Sequence, residues 1–379
     1  MKGREIVIIG GGITGLSTAY YLSKEGHENV VVLEKEYVGS GSTGRCAAGI
    51  REQHPDEPTI KMARESKKLW DEMAEDLGFE FRRTGYLYLL YSNEEVERYK
   101  KMKELQNSLG ANTRILSPEE IKQISEYINV SDVKAGSYNP EDGQVHPFDA
   151  IHELRSYLNE TDIEVEEWTE VENIKLNRRN KVVVTSDENY KTDIIVNATG
   201  GWAPKIGEMM NIDIPVEPHK HQAIITEPFE RDSIKPMVIS MKYNGAYLFQ
   251  IDRDGGILAG AEPAEEIATY DQTGTLRFER RVSEALPKFV PAMKHLKILR
   301  HWAGFYAMTE DTNPLIGEYK IDGHYLVTGG SGHGYQLGPI VGKSLTELIL
   351  EGGTDMPLDY YDPYRIERRE YREPSVQPG

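Results

Sequence analysis

Gly10-Gly11-Gly12-Ile13-Thr14-Gly15 fits the spacing G-x-G-x-x-G between a β-branched run, Ile6-Val7-Ile8-Ile9, and residues Leu16, Ala19, Tyr20, Leu22 and Ser23 at helical spacing. A strand buried on both faces, a tight turn and a helix satisfy all three patterns. Gly10 permits the turn, a side chain at Gly12 would keep a pyrophosphate from the helix N-terminus, and one at Gly15 would push the helix off the sheet. Val30-Val-Val-Leu33 supplies a second strand, and Glu34 ends it 19 positions after Gly15. A carboxylate there can accept both hydroxyls of a ribose and disfavours a 2′-phosphate. A glycine turn alone would serve packing as readily, but strand, glycines, helix, strand and acid together specify a dinucleotide site. They leave FAD and NAD open.

The remaining composition narrows the class. With 379 residues, 39% of them hydrophobic, the chain can build more than one core. A net charge of −18 argues against nucleic acid as a partner. Met1-Lys2-Gly3-Arg4 and the apolar run behind it imitate a signal peptide, but the glycine spacing is the stricter pattern. No apolar run approaches the roughly 18 residues that span a bilayer, so no transmembrane segment is expected. Cys46 is the single cysteine, which rules out an intrachain disulfide and a cysteine zinc site, suits a cytoplasmic location and leaves peripheral membrane attachment open. No metal site is expected.

Three later segments point to FAD. Ser40-Gly-Ser-Thr-Gly-Arg45-Cys46-Ala-Ala-Gly49 follows the second strand with small residues that admit a bulky planar ligand. Asp193-Ile-Ile-Val-Asn-Ala-Thr-Gly-Gly-Trp202 reads as a buried strand, a small-residue turn and a helix starting near Pro204. His324-Tyr-Leu-Val-Thr-Gly-Gly-Ser-Gly-His-Gly-Tyr-Gln-Leu-Gly338 repeats that plan before a helix from Pro339 to Glu351, whose N-terminus suits the electron-rich edge of a reduced flavin. Between them, Thr84 to Tyr91, His221 to Thr226, Gly245 to Ile251 and Gly256 to Ala261 read as strands, the last two joined at Asp254-Gly255. Ser117-Pro-Glu-Glu120 is a capping box. The fold class is therefore α/β, α+β overall: a Rossmann-type FAD-binding domain with a parallel sheet (1–80, 146–215 and 315–379) and a mostly antiparallel substrate or interface domain (81–145 and 216–314). The site would be a cleft between them.

In order and content these segments resemble the D-amino-acid oxidase superfamily of FAD enzymes over nearly the whole chain. Gly39-Ser-Gly-Ser-Thr-Gly-Arg-Cys46, Pro218-His-Lys-His-Gln-Ala-Ile-Ile-Thr226, Trp302-Ala-Gly-Phe-Tyr306 and Tyr361-Asp-Pro-Tyr364 resemble the β subunits of archaeal dye-linked L-proline dehydrogenase and, next, of heterotetrameric sarcosine oxidase. The resemblance implies FAD held by Gly10, Gly12, Ile13, Thr14, Gly15, Glu34, Lys35, Gly41, Ser42, Arg45, Cys46, Ala48, Gly49, Val171, Ala198, Thr199, Gly200, Trp202, Gly332, His333, Gly334, Tyr335 and Gln336. It places Arg51 where relatives bind the substrate carboxylate and Tyr247 where they carry a substrate-facing tyrosine. Glu262 stands in place of a histidine, His333 beside the flavin, and Gln336 where a second carboxylate-binding lysine stands. Leu258 replaces the lysine that activates O₂, which favours a dehydrogenase. Gly304 stands where a flavin-bonding cysteine would be, so FAD should be non-covalent. Pro147, with His146 beside it, replaces a histidine that bonds FMN, so any FMN at a subunit interface should be non-covalent too.

The implied activity is oxidation of a secondary amino acid, L-proline or similar, by hydride transfer to flavin N5, giving an imine, with electrons passing to FMN, a partner or a dye-like acceptor. A second α subunit in a hetero-oligomer is implied as partner, with the arginines of the tail, Arg365, Arg368, Arg369 and Arg372, as a docking segment. The alternatives are a sarcosine, glycine or D-amino-acid oxidase using O₂, an electron-transfer subunit without its own substrate site, and an NAD-dependent dehydrogenase. On denaturation all flavin should leave with the small-molecule fraction after ultrafiltration. Yellow colour retained on the unfolded chain would overturn the non-covalent reading.

Overall fold

The computed structural model describes residues 1–371 except 178–179, 252–253 and 264–267. Its first layer is a six-stranded sheet in the order Glu164–Glu166, Val30–Leu33, Ile6–Ile9, Ile194–Asn197, His324–Thr328, Leu315–Glu318, parallel except for the last pair. Ile6 to Ile9 and Val30 to Leu33 are buried throughout, as strands covered on both faces must be. On one face pack the helices Ile13–Lys24 and Gly338–Glu351. Two glycines of the second helix let them meet: a Cβ at Gly338 would lie 2.6 Å from Ile13 Cγ1, and one at Gly342 2.7 Å from Ser17. The outer face carries a four-stranded sheet, Lys2–Gly3, Asn189–Thr192, Lys181–Thr185 and Val171–Leu176, whose Val171, Ile174, Val183 and Tyr190 share a core with Val7, Val31 and Ile195.

The second layer is an eight-stranded sheet in the order Ile298–Met308, Glu217–Pro228, Gly256–Gly260, Ala246–Gln250, Met237–Ser240, Tyr86–Leu90, Ala135–Asn139, Arg114–Leu116. All its pairs are antiparallel but one, Met237–Ser240 with Tyr86–Leu90, which joins the two stretches of chain that build it. Helix Leu276–Phe289 buries Phe278, Val282, Leu286 and Phe289 against one face. The expected capping box closes helix Pro118–Ile124: the Ser117 hydroxyl accepts from Glu120 N at 3.2 Å and Glu120 accepts from Ser117 N at 2.7 Å.

A three-stranded ribbon, Gly49–Ile50, Gly143–Val145 and Phe81–Arg82, stitches the two layers together. It leads directly into Arg51 and the long helix Glu57–Leu77. Among the described residues no helix is long and apolar enough to cross a membrane, and no group of three His, Cys, Asp or Glu is placed to hold a metal.

Of the tail arginines expected in a docking segment, Arg368 and Arg369 are exposed and Arg365 is not. Arg365 is buried and forks onto Asp311, with Nε to Oδ2 at 2.7 Å and Nη2 to Oδ1 at 2.8 Å, and it also donates to the Pro314 and Asn313 carbonyls. Arg368 pairs with Asp362 and Glu370, and Arg372 lies outside the described residues. The Arg365 guanidinium therefore fastens its segment to the loop between the strands Ile298–Met308 and Leu315–Glu318. Arg365→Ala should lower the urea-unfolding free energy by about 3–5 kcal/mol, because Asp311 is left buried and unpaired; a loss below about 1 kcal/mol would contradict this account.

Candidate functional site

One long cleft runs from the carboxyl ends of Ile6–Ile9 and Val30–Leu33 to the face of the eight-stranded sheet. At its first end the helix Ile13–Lys24 begins at Gly12, which has no side chain to cap it, so the N–H groups of Thr14 and Gly15 are left open at the helix start. The close fit behind it explains the glycines. A Cβ at Gly15 would stand 2.0 Å from the Gly10 carbonyl oxygen, one at Gly10 2.6 Å from that of Ala198, and Gly10 has φ +110. Thr43 lends Oγ1 to Ile13 N at 3.1 Å. Glu34 sits at the strand end, where it accepts from Gly11 N at 2.8 Å, Glu36 N at 3.0 Å and Ser40 Oγ at 3.3 Å. A carboxylate offers about four acceptor positions, so room remains for about one ribose hydroxyl and not for both. Lys35 lies 3.8 Å above the Trp202 ring, and both line this end.

Gly10, Gly12, Ile13, Thr14, Glu34, Lys35, Gly41, Ser42, Arg45, Cys46, Ala48, Gly49, Val171, Ala198, Thr199, Gly200, Trp202, Gly332, Gly334, Tyr335 and Gln336 all line the cleft. Gly15 lies behind it as packing, and the His333 ring turns away from it toward Arg51. The turn Gly41 to Arg45 is pinned by Ser42 Oγ donating to the Phe305 carbonyl at 2.7 Å and Arg45 Nη1 to that of Gly41 at 3.1 Å. Gly304 packs on Arg45, whose Cβ would be 3.2 Å from an added Cβ, so a side chain at Gly304 would have to displace the arginine.

At the other end Arg51 enters the cleft with only 5% of its surface exposed. Its Nη2 lies 2.9 Å from His333 Nε2. Arginine can only donate, so His333 Nε2 is the acceptor and that ring carries its proton on Nδ1. Burial, and then the Arg51 charge, push His333 down to about 3. Gln336, which stands where relatives carry a second carboxylate-binding lysine, has its amide on protein partners: Oε1 accepts from Arg51 N at 3.1 Å and Nε2 lies 2.9 Å from His54 Nε2. Beneath them Glu52 pairs with Lys67 at 2.7 Å, and Asp142 accepts from Glu52 N at 3.0 Å. Burial pushes the Asp142 carboxyl up to about 7 against the pull of Lys67.

Tyr247 lines the cleft as expected from its strand, lying over Gly260, where a Cβ would be 2.5 Å from its hydroxyl. Reading the residues alone missed His221 and Tyr306, which stack at 3.6 Å and 18° on neighbouring strands of the same wall. Burial lowers His221 to about 3, so it is neutral, and raises both phenols. None of these three side chains has a hydrogen-bond partner among the described residues. Glu262 does not line the cleft; it is half-buried, bonds through its backbone to Asn244 O at 3.1 Å, and its charge acts on Tyr247 and Tyr306.

The chain matches the family model for FAD dependent oxidoreductases (DAO) over residues 5–348. It belongs to that family. Among solved structures, L-proline dehydrogenase from P. horikoshii matches with a TM-score of 0.94 at 45% identity, over 98% of this chain and 100% of that one. Glycine oxidase from Geobacillus kaustophilus shares the fold at 23% identity and a TM-score of 0.88, over 96% of this chain and 99% of that one. Sarcosine oxidase subunit beta of Rhodobacter capsulatus is 25% identical over 386 residues, 100% of this chain and 92% of the relative. Mitochondrial dimethylglycine dehydrogenase of Rattus norvegicus is 28% identical over 95% of this chain, which spans only 44% of that longer protein.

In this FAD-dependent oxidoreductase a second cavity shares Ser40, Arg45, Cys46, Ala48 and Trp302 with the main cleft and lies beyond that wall. Leu258, expected in place of an O₂-activating lysine, lines the second cavity and not the first, as do His146 and Pro147. Burial pushes the Cys46 thiol up to about 12, so it stays protonated and a poor nucleophile.

The neutral histidines carry a pH signature. The unfolded chain binds their protons below about pH 6.5 while the folded chain refuses them until about 3. Stability is therefore full above pH 6.5 and is lost as the pH falls, by about 1.4 kcal/mol per pH unit for each histidine. Urea denaturation from pH 6.5 to 4.5 should show this slope, and His333→Asn should flatten it by about one proton. An unchanged slope in that variant would contradict the assignment.

Proposed function

We propose that this oxidoreductase binds FAD non-covalently along the first half of the cleft and dehydrogenates a small secondary amino acid, L-proline or a close relative, at the second half. The observation that carries the reading is the wall of Arg51, Tyr247, Tyr306 and His221: a buried cation beside three polar groups that have no protein partner. Among the described lining residues the only acids are Glu34 and Glu170.

The cradle supports FAD on its own terms. Gly10, Gly12 and the uncapped helix start would take the pyrophosphate, Glu34 one ribose hydroxyl, and the Gly329–Gly334 turn the ring system. When bound, FAD supplies the acceptor for the substrate's α-hydrogen and its electron pair. The chain supplies position. Arg51 would hold the substrate carboxylate, and a neutral His333 can steady the guanidinium without competing for the anion. Because His221 is neutral, the tyrosine wall adds no second positive charge, so the amine can rest against Tyr247 and Tyr306, whose hydroxyls can accept its N–H bonds. Burial of these groups strengthens each contact and fixes the α-hydrogen's direction.

The electron acceptor is proposed to be a partner protein or a dye in preference to O₂, and the partner a second subunit. The likenesses to an L-proline dehydrogenase and to a subunit beta support this. Neither the matching family nor the names of these relatives call for FMN, so the proposal is confined to FAD.

Anaerobic mixing with L-proline, sarcosine, N,N-dimethylglycine, glycine and D-amino acids should bleach the flavin, with L-proline or another secondary amino acid fastest. Absence of bleaching by every secondary amine in the panel would refute the substrate class. Arg51→Met should lower kcat/KM on the order of 10²- to 10³-fold, since truncating a buried charge contact costs about 2–5 kcal/mol. Steady peroxide release matching dye reduction would overturn the choice of acceptor.

A further inference from the structure

Arg51 is held from both ends, at its backbone by Gln336 and at its guanidinium by His333. Its backbone N–H donates to Gln336 Oε1 at 3.1 Å, and that orientation leaves Gln336 Nε2 to donate to His54 Nε2 at 2.9 Å. The second hydrogen bond of the His54 ring returns to the backbone of Arg51. Arg51, Gln336 and His54 thus form a closed ring of hydrogen bonds in which every donor meets an acceptor, provided His54 is neutral. Burial, then the Arg51 charge, keep His54 far below its ordinary range.

The ring is anchored from outside. The Gln336 carbonyl accepts from Ser66 Oγ at 2.6 Å and Trp70 Nε1 at 2.9 Å, both on the helix Glu57–Leu77. The His54 carbonyl accepts from Gln106 Nε2 at 2.9 Å, on the helix Asn93–Ser108. His54 is 1% exposed, lines no part of the cleft, and packs edge-to-face on His333 at 5.2 Å. His333 in turn grips the Arg51 guanidinium. One imidazole therefore touches both restraints on Arg51, its backbone directly and its side chain through His333.

We propose that His54 is a positioning residue: it aims the Arg51 guanidinium at a substrate carboxylate without contacting substrate or flavin. The inference rests on the reading of Arg51 as the carboxylate anchor. A looser Arg51 should weaken recognition of the carboxylate and leave recognition of the amine unchanged, which a merely structural role would not do.

The test uses the FAD-loaded chain. Binding of pyrrole-2-carboxylate and of pyrrole is measured by calorimetry, and KM and kcat are measured for L-proline and for pyrrolidine. Arg51→Met comes first: if wild type binds pyrrole-2-carboxylate no better than Arg51→Met does, the anchor reading fails, and this inference with it. If the anchor holds, His54→Leu should weaken pyrrole-2-carboxylate binding by about tenfold, as expected for the loss of two buried hydrogen bonds. His54→Asn can keep the bond to the Arg51 backbone and His54→Gln the one to Gln336, so both should fall between wild type and His54→Leu. The effect should appear in KM for L-proline more than in kcat, with pyrrole binding, pyrrolidine turnover and FAD content unchanged. Carboxylate binding within twofold of wild type in the Asn and Gln variants, or equal losses for ligands with and without the carboxylate, would overturn the proposal. The Asn and Gln variants keep it testable should His54→Leu fail to fold.

Discussion

The close approach of Gly15 to the Gly10 carbonyl sets the geometry on which the other parts depend. Because nothing larger than a hydrogen fits between them, the helix Ile13–Lys24 lies hard against the strand Ile6–Ile9, and its unsatisfied N–H groups are carried to the rim of the parallel sheet. The same helix then receives Gly338–Glu351 at Gly338 and Gly342, which brings the second glycine turn and Gln336 alongside the first. The open helix start and the group that holds Arg51 are thus consequences of one packing relation repeated at three glycines.

Burying Arg51 poses the opposite problem. A guanidinium at 5% exposure has lost most of its water, and desolvation of a charge is unfavourable unless hydrogen bonds replace it. His333 and the ring through Gln336 and His54 meet part of that need with neutral acceptors, which satisfy the cation's geometry without cancelling its charge. Burial enforces the neutrality, since an imidazolium beside Arg51 would be a second desolvated cation. A carboxylate at the same place would have neutralised the arginine. The nearby acids, Glu52 and Asp142, are occupied with Lys67, Arg64, Gln53 and one another.

The nucleotide end was legible residue by residue because its requirements are local. Gly10, Gly12 and Gly15 answer to backbone approach, and Glu34 to its place at a strand end, all within 34 residues of one βαβ unit. The Arg51 end of the cleft was legible only in part. Arg51 and Tyr247 were found through resemblance, whereas His221, Tyr306 and His54 carry no local pattern: the first two meet across paired strands, and His54 meets Gln336 across 282 positions. Glu262 shows the converse, a residue at the expected place in the strand order whose side chain lies off the cleft. In the tail, Arg365 stood among the arginines of an expected docking segment, and its pairing with Asp311 joins positions 54 residues apart that no local pattern links.

By itself, then, the sequence determined the two-layer α/β and antiparallel plan and a dinucleotide cradle at the N-terminus, because strand burial, helix period and glycine sterics act between near neighbours in the chain. Tertiary structure decided which polar groups are left without protein partners, which imidazoles are neutral and which arginine is buried. Those depend on desolvation and on hydrogen bonds between distant segments, and neither exists until the layers close.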